Sequence, residues 1–237
     1  MKRILLALLL MAGVTAAMAQ RTIKDENVEV RTASNFTVIK LSSAFDVYLT
    51  QGNEETVAVS ASSKKYMQDI IVEVRNGVLE IDYRPKGKWR TGNRKLKAYI
   101  SFKQLDKLDV NGACDVDIVG TWKADGARLE LSGASDFTGR LEMQKLSVDI
   151  SGASDVKVTG NAGQLTVDAS GASSFKGYDL SSDFCTAKAS GASDIKITVN
   201  KELNVQASGA SDINYKGQGV IRDLKTSGAS SVSKKNS

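Results

Sequence analysis

Apolar and polar residues alternate along most of this chain. In Gln164-Leu165-Thr166-Val167-Asp168-Ala169 the apolar positions are Leu165, Val167 and Ala169, and in Asp155-Val156-Lys157-Val158-Thr159 they are Val156 and Val158. A period of two puts successive side chains on opposite faces of a strand, so each stretch predicts one buried and one wetted face. In the first half the same pattern predicts strands over Phe36–Leu41, Phe45–Thr50, Thr56–Ala61, Ile70–Arg75, Val78–Tyr83 and Lys97–Phe102. Asn76-Gly77 predicts a tight hairpin, Gln51-Gly52-Asn53 a second turn, and Ser63–Gln68 a short helical turn.

The second half repeats itself. Six-residue segments begin at Asn111 (NGACDV), Ser132 (SGASDF), Ser151 (SGASDV), Ser170 (SGASSF), Ser190 (SGASDI), Ser208 (SGASDI) and Ser227 (SGASSV). Their glycines are 21, 19, 19, 20, 18 and 19 residues apart. A fixed period of this size is the mark of a solenoid. Between glycines there is no room for a helix beside two strands, so leucine-rich and ankyrin-type repeats fit badly. The prediction is an all-β fold, a parallel β-helix with about 19 residues per turn. Turns stacked about 4.8 Å apart make a rod roughly 30 Å long over the repeats.

In such a coil each recurring letter forms a column. The glycine can take φ > 0 at the corner. The alanine that follows it (Ala113, Ala134, Ala153, Ala172, Ala192, Ala210, Ala229) is expected to point inward, where only a methyl fits. The large residue closing the motif (Val116, Phe137, Val156, Phe175, Ile195, Ile213, Val232) is expected to fill the core. Asp115, Asp136, Asp155, Asp194 and Asp212 form a carboxylate column, completed by Ser174 and Ser231. Stacked carboxylates repel unless compensated. A line of Ca²⁺ sites is one reading; hydrogen bonding of each Asp to the backbone of its own turn is the other. Replacement by Ser at two positions favours the second, and no metal or other cofactor is expected. The flanking columns Ser132, Ser151, Ser170 and Ser135, Ser154, Ser173 read as further turn hydrogen-bonders.

The chain divides into three parts: a signal peptide (1–19), a β-rich N-terminal half (20–104) and the regular repeats (105–237). Lys2-Arg3, the apolar run Ile4–Met11 and Ala17-Met18-Ala19 have the three-part layout of a secretory signal, with a core too short to span a bilayer. No other segment is long and apolar enough to span as a helix. Ser43-Ala44-Phe45-Asp46-Val47 resembles a worn repeat, so the N-terminal half reads as a cap plus the first stretch of the coil. The far end has only Lys234 and Lys235 to guard its strand edges, which leaves end-to-end association open.

The whole sequence of 237 residues carries a formal charge of +5, unevenly spread. Residues 20–104 are net +5 and residues 105–237 net −2. The excess lies in Arg84, Lys86, Lys88, Arg90, Arg94, Lys95 and Lys97, with Trp89 among them. This is a candidate contact for an anionic glycan, lipid headgroup or acidic protein, and equally the pattern of a solvated hairpin tip. Nucleic acid is not an expected partner, because no binding module for it is present. There is no histidine, which removes Ser-His-Asp, Cys-His and HExxH chemistry. The acids repeat with the coil, whereas a catalytic site needs unlike groups converging.

With the SGAS(D/S) repeats and the strand-rich half placed, the chain resembles the auto-transporter adhesin head GIN domain family over about residues 30–232. The resemblance implies a right-handed parallel β-helix, export and a role in cell adhesion, and it carries no catalytic residues. The expected function is therefore a non-enzymatic surface or periplasmic protein whose β-rod presents a binding face to an envelope or host glycan or protein. A stacking module of an envelope assembly is the alternative, and a polysaccharide-processing enzyme a more distant one.

Cys114 and Cys185 lie between three and four turns apart in this register, on the order of 16 Å along the rod, whereas a disulfide needs Cα atoms within roughly 7 Å. Thiol titration should find both cysteines reduced once the protein is denatured; finding no free thiol would contradict the register.

Overall fold

The computed structural model describes residues 25, 27–85 and 94–236. The segment expected to be an export signal and four members of the basic segment (Lys86, Lys88, Trp89 and Arg90) lie outside the described residues.

The first half contains β1 (Val28–Arg31), β2 (Val38–Leu41), β3 (Phe45–Gln51), β4 (Thr56–Ser60), α1 (Lys64–Met67), β5 (Ile70–Arg75), β6 (Val78–Tyr83), β7 (Leu96–Phe102) and β8 (Lys107–Gly112). The predicted strands appear with small shifts at their ends. β2 starts at Val38 rather than Phe36 because Asn35, at φ 61°, is still turning the chain. The Asn76-Gly77 hairpin is present, with φ 52° and 77°, and joins β5 to β6.

The second half forms β9 (Asp115–Gly133), β10 (Asp136–Ile150), β11 (Asp155–Ala169), β12 (Ser174–Ala189), β13 (Asp194–Ala207), β14 (Asp212–Lys216), β15 (Val220–Thr226) and β16 (Ser231–Lys234). Each strand from β9 to β13 is most of one turn. In β11, inside–outside alternation loses phase at Thr159-Gly160 and again at Gly163-Gln164; with the SGAS corner these bends fold the turn into three short sides. All pairings from β9 onward are parallel and like lies over like, as in Asp136↔Asp155, Phe137↔Val156 and Ile150↔Ala169. The protein is a β-solenoid of about 7 turns with about 19 residues per turn. Longer repeats are absorbed locally: the register shifts beside Thr138/Arg140 and Lys157/Thr159 coincide with the 21- and 20-residue steps.

The coil continues into the first half. Asp46 and Val47 pair with Asp115 and Val116, so the worn repeat at Ser43 stacks directly under the others. β2 pairs in parallel with β8 and with β6, and β3 with β7. Beyond them the pairing turns antiparallel, β7 to β4 to β1 on one side and β6 to β5 on another. Tyr66 and Met67 of α1 are buried in the core at this end. One hydrophobic cluster runs from Ala33 to Ile213.

The closing residues of the motif are inside as expected: Val116, Phe137, Val156, Phe175, Ile195 and Ile213 are buried, and Val232 partly so. The alanines are not. All seven motif alanines (Ala113, Ala134, Ala153, Ala172, Ala192, Ala210, Ala229) are exposed, and the inward position belongs to the next residue, Cys114, Ser135, Ser154, Ser173, Ser193 or Ser211. The reason is strand alternation, which runs back from the core residue without a break: Val156 in, Asp155 out, Ser154 in, Ala153 out. A buried hydroxyl is tolerated because the corner supplies acceptors. The Oγ atoms of Ser173, Ser193 and Ser211 donate to the carbonyls of Ser170, Ser190 and Ser208 at 2.8–2.9 Å.

The corner glycines stack backbone on backbone. A Cβ on Gly152 (φ 75°) would lie 2.3 Å from the carbonyl oxygen of Gly133, and the Ala153 N–H donates to that same oxygen at 2.8 Å. Gly120 has φ 92° but open space where a Cβ would stand. Gly120→Ala should therefore cost only the left-handed strain, about 1 kcal/mol. Gly152→Ala should cost at least twice that, roughly 2–4 kcal/mol, because a backbone must also move. Denaturant midpoints of the two variants check this; equal losses would mean the corner contact carries no weight.

Cys114 and Cys185 are both buried and unpaired. Burial pushes the Cys185 thiol up to about 12, and raises Cys114 as well, with Asp115, Asp82 and Asp46 adding to the effect. Neither thiol should react with a disulfide reagent at neutral pH until the protein unfolds.

Candidate functional site

Two acidic ladders flank the Gly-Ala corner. The first stands three residues after each glycine and is the column expected from the sequence. In strand order it runs Lys97, Asp46, Asp115, Asp136, Asp155, Ser174, Asp194, Asp212, Ser231. Its carboxylates do not bond the backbone of their own turns. The nearby N–H groups are already taken by the ladder between turns: Asp136 donates to the Cys114 carbonyl at 2.9 Å and Asp155 to that of Ser135 at 3.0 Å. The carboxylates meet side chains instead. Lys176 Nζ lies 2.6 Å from Asp155, Lys196 Nζ 2.6 Å from Asp194, and Ser231 Oγ donates to Asp212. Those lysines belong to a column two residues further on, Lys157-Lys176-Lys196. At the other end of the ladder Asp115 has acidic neighbours. Burial, followed by the charges of Asp136, Asp46 and Asp117, raises its carboxyl above the ordinary range. Among the described residues no group of three or more His, Cys, Asp or Glu is arranged to hold a metal ion.

The second ladder stands three residues before each glycine. Asp109, Glu130, Asp149 and Asp168 are in register on successive turns, followed by Lys188, Gln206 and Lys225. Sequence reasoning missed it, although its steps of 21, 19 and 19 residues copy those of the glycines. Lys107 and Arg128, from the neighbouring column, compensate its first members. Lys107 lies 2.6 Å from Glu130, and Arg128 lies 2.5 Å from Glu130 and 3.1 Å from Asp149. Burial works against the Glu130 charge, but the hydrogen bonds from Lys107 and Arg128 outweigh it and hold the carboxyl below its usual range. Asp149 goes the other way: burial raises it, and Asp168 and Glu130 add to the rise against the pull of Arg128 and Lys107. Its Oδ2 is shielded from solvent and meets the Arg128 guanidinium 3.1 Å away, an ion pair without hydrogen-bond alignment.

These four acids line a shallow groove of about 250 Å³ together with Ser132, Ser151 and Ser170. The serines' Oγ atoms donate to carbonyls of the preceding turn at 3.4 Å, long bonds that leave their lone pairs facing outward. The corner thus presents a carboxylate ladder beside a hydroxyl ladder, each repeating once per turn.

The described members of the basic segment are largely tied down. Arg84 bonds Asp82 at 2.8 Å and also pairs with Glu80. Lys97 lies 2.9 Å from Asp25, which also accepts hydrogen bonds from Tyr99 and Ser60. Arg94 lies over the Tyr83 ring, 4.9 Å from its centre. Lys95 is exposed. The structure therefore does not bring these four into one open cationic patch.

No curated protein matches the chain. Solved structures that share the fold include an adhesin designated putative from Bacteroides fragilis (22% identity, 89% of this chain and 98% of that one, TM-score 0.80), another from Parabacteroides merdae (15%, 88% and 95%, 0.67), and a protein designated putative lipid binding from Parabacteroides distasonis (19%, 88% and 97%, 0.63). Among the described residues no helix is long and apolar enough to cross a membrane. The family model described as "Putative auto-transporter adhesin, head GIN domain" matches residues 35–219, most of the coil and its cap, and the chain belongs to that family.

Proposed function

We propose that this protein is an exported, non-enzymatic adhesin-type module, and that it holds a hydroxyl-rich polymer, an envelope or host glycan, along the groove between the second acidic ladder and the serine column. One observation carries this reading: Asp109, Glu130, Asp149 and Asp168 repeat in register beside Ser132, Ser151 and Ser170. Carboxylates accept hydrogen bonds from sugar hydroxyls or amines, and serine hydroxyls both accept and donate. A ligand that itself repeats can therefore engage several turns at once, and weak contacts add up. The field of the ladder disfavours anionic polymers, so neutral or amine-bearing glycans fit best. Family membership and the adhesin-named neighbours support a binding role at the cell surface. The basic segment 84–97 is the alternative contact, for an anionic ligand.

A glycan array probed with the purified chain should identify a neutral or amine-bearing ligand, and Asp149→Asn with Asp168→Asn should weaken binding by about tenfold or more. Binding lost on Lys95→Glu but kept in the Asp→Asn variant would move the site to the basic segment. Cleavage of a bound glycan would contradict the non-enzymatic reading.

The pH dependence separates binding from stability. A carboxyl whose folded pKa is raised binds more protons folded than unfolded, so its ionisation costs stability as pH rises through that window. Asp149→Asn should therefore leave stability at neutral pH unchanged or higher, while glycan binding is lost. In the parent protein, binding should fall as pH drops from neutral, starting above the ordinary Asp range. A destabilised Asp149→Asn variant would show that the ladder serves the fold instead.

A further inference from the structure

The two ends of the rod are built differently. The N-terminal end is closed by antiparallel strands and by α1, with Tyr66 and Met67 buried in the core. The C-terminal end is an open cross-section. β15 pairs only with β13 and β16 only with β14, so among the described residues their outer edges have no partner. Inward-facing residues lie bare there. Leu224 stacks on the fully buried Val205 yet is 51% exposed, and Ile221 and Val232, above buried Leu203 and Ile213, are only partly covered. Uncovered edges and core residues of this kind favour pairing with another chain.

We propose that two copies of this chain dock C-terminal end to C-terminal end, with β15 of each pairing antiparallel about a twofold axis between Arg222 and Asp223. Two observations select a second copy in this orientation. First, head-to-tail stacking is blocked, because the only other rod end is already capped; like must meet like, which closes the assembly at two. Second, β15 is self-complementary about that axis. A register shift after Leu203 puts both Ile221 and Leu224 on the inner face although they are three residues apart. The twofold then sets Ile221 of one copy against Leu224 of the other inside a joined core, and on the rim brings Arg222, paired with Glu202 at 2.9 Å, against Asp223, paired with Lys225 at 3.0 Å, so that the two pairs join into one alternating network. Lys216, Lys234 and Lys235 sit at the same end and repel their copies, so association should tighten as salt screens them. The dimer doubles the rod and makes any ligand site along it bivalent.

Sedimentation velocity of the purified chain over about 1–300 µM tests this, a range that spans weak to moderate self-association. The expected result is a monomer–dimer equilibrium, tighter at high salt, that Leu224→Asp weakens by about tenfold or more and Val30→Asp, at the capped end, leaves unchanged. Should Leu224→Asp disturb folding, charge exchange decides: Asp223→Arg should weaken the dimer, and adding Arg222→Asp to it should restore it. A monomer at every concentration and salt, open-ended filaments, or a dimer indifferent to both Leu224→Asp and Asp223→Arg would overturn the proposal.

Discussion

The contact on which this architecture rests is backbone against backbone. At the SGAS corner each glycine sits on the carbonyl of the glycine one turn below, so near that a Cβ would lie 2.2–2.8 Å from the oxygen beneath it. The following alanine N–H donates to that oxygen at 2.7–2.8 Å throughout the series, from Ala113 on Ser43 to Ala229 on Gly209. This pins the rotational phase of every turn. Once the phase is fixed at one corner, pairing in register around the rest of the turn follows, and differences in repeat length are expelled into bulges away from the corner. At the lowest copy a serine with φ 72° replaces the lower glycine, which works because nothing in the series stacks its own glycine beneath it.

Stacking like on like has an electrostatic cost, and the protein meets it unevenly. Where Asp155 and Asp194 recur, a lysine column two residues away supplies counter-charges. Where Glu130 recurs, Lys107 and Arg128 do so. Asp115 has no such partner, and at Asp149 the Arg128 counter-charge does not offset burial and acidic neighbours, so both carboxyls are raised above the ordinary range. A fold optimised for stability alone would relieve such repulsion. At Asp149 this repulsion stands beside the groove and the hydroxyl ladder on which the proposed ligand site rests.

The period, the core column and the continuation of the coil into residues 43–47 could be read from the sequence because each depends on spacing alone. The alanine column lies outside because strand alternation outweighs the apolar nature of a methyl: counting back from Val156 places Ala153 outside and Ser154 inside. The expectation that the aspartates bond their own turns failed because sequence does not show which N–H groups the inter-turn ladder has already used. The second acidic ladder follows the spacing, three residues before each glycine, but its residue type changes from Asp or Glu to Lys and Gln after Asp168, so it does not stand out as a repeat in the way the hexapeptide does. The pairing of Arg84 with Asp82 and of Lys97 with Asp25 depends on the antiparallel cap, where register is not periodic and spacing gives no guide.

Paired cysteines placed on the exposed alanine column test the stacking most directly, since both native thiols are buried. Ala153→Cys with Ala172→Cys sits on neighbouring turns about 4.8 Å apart, within the reach of a disulfide, whereas Ala134→Cys with Ala172→Cys spans two turns, about 9.6 Å. Under mild oxidation, mass spectrometry should find the first pair crosslinked within one chain and the second pair free. A second pair that closes as readily as the first, or a first pair that never closes, would contradict a coil in which each glycine lies over the last.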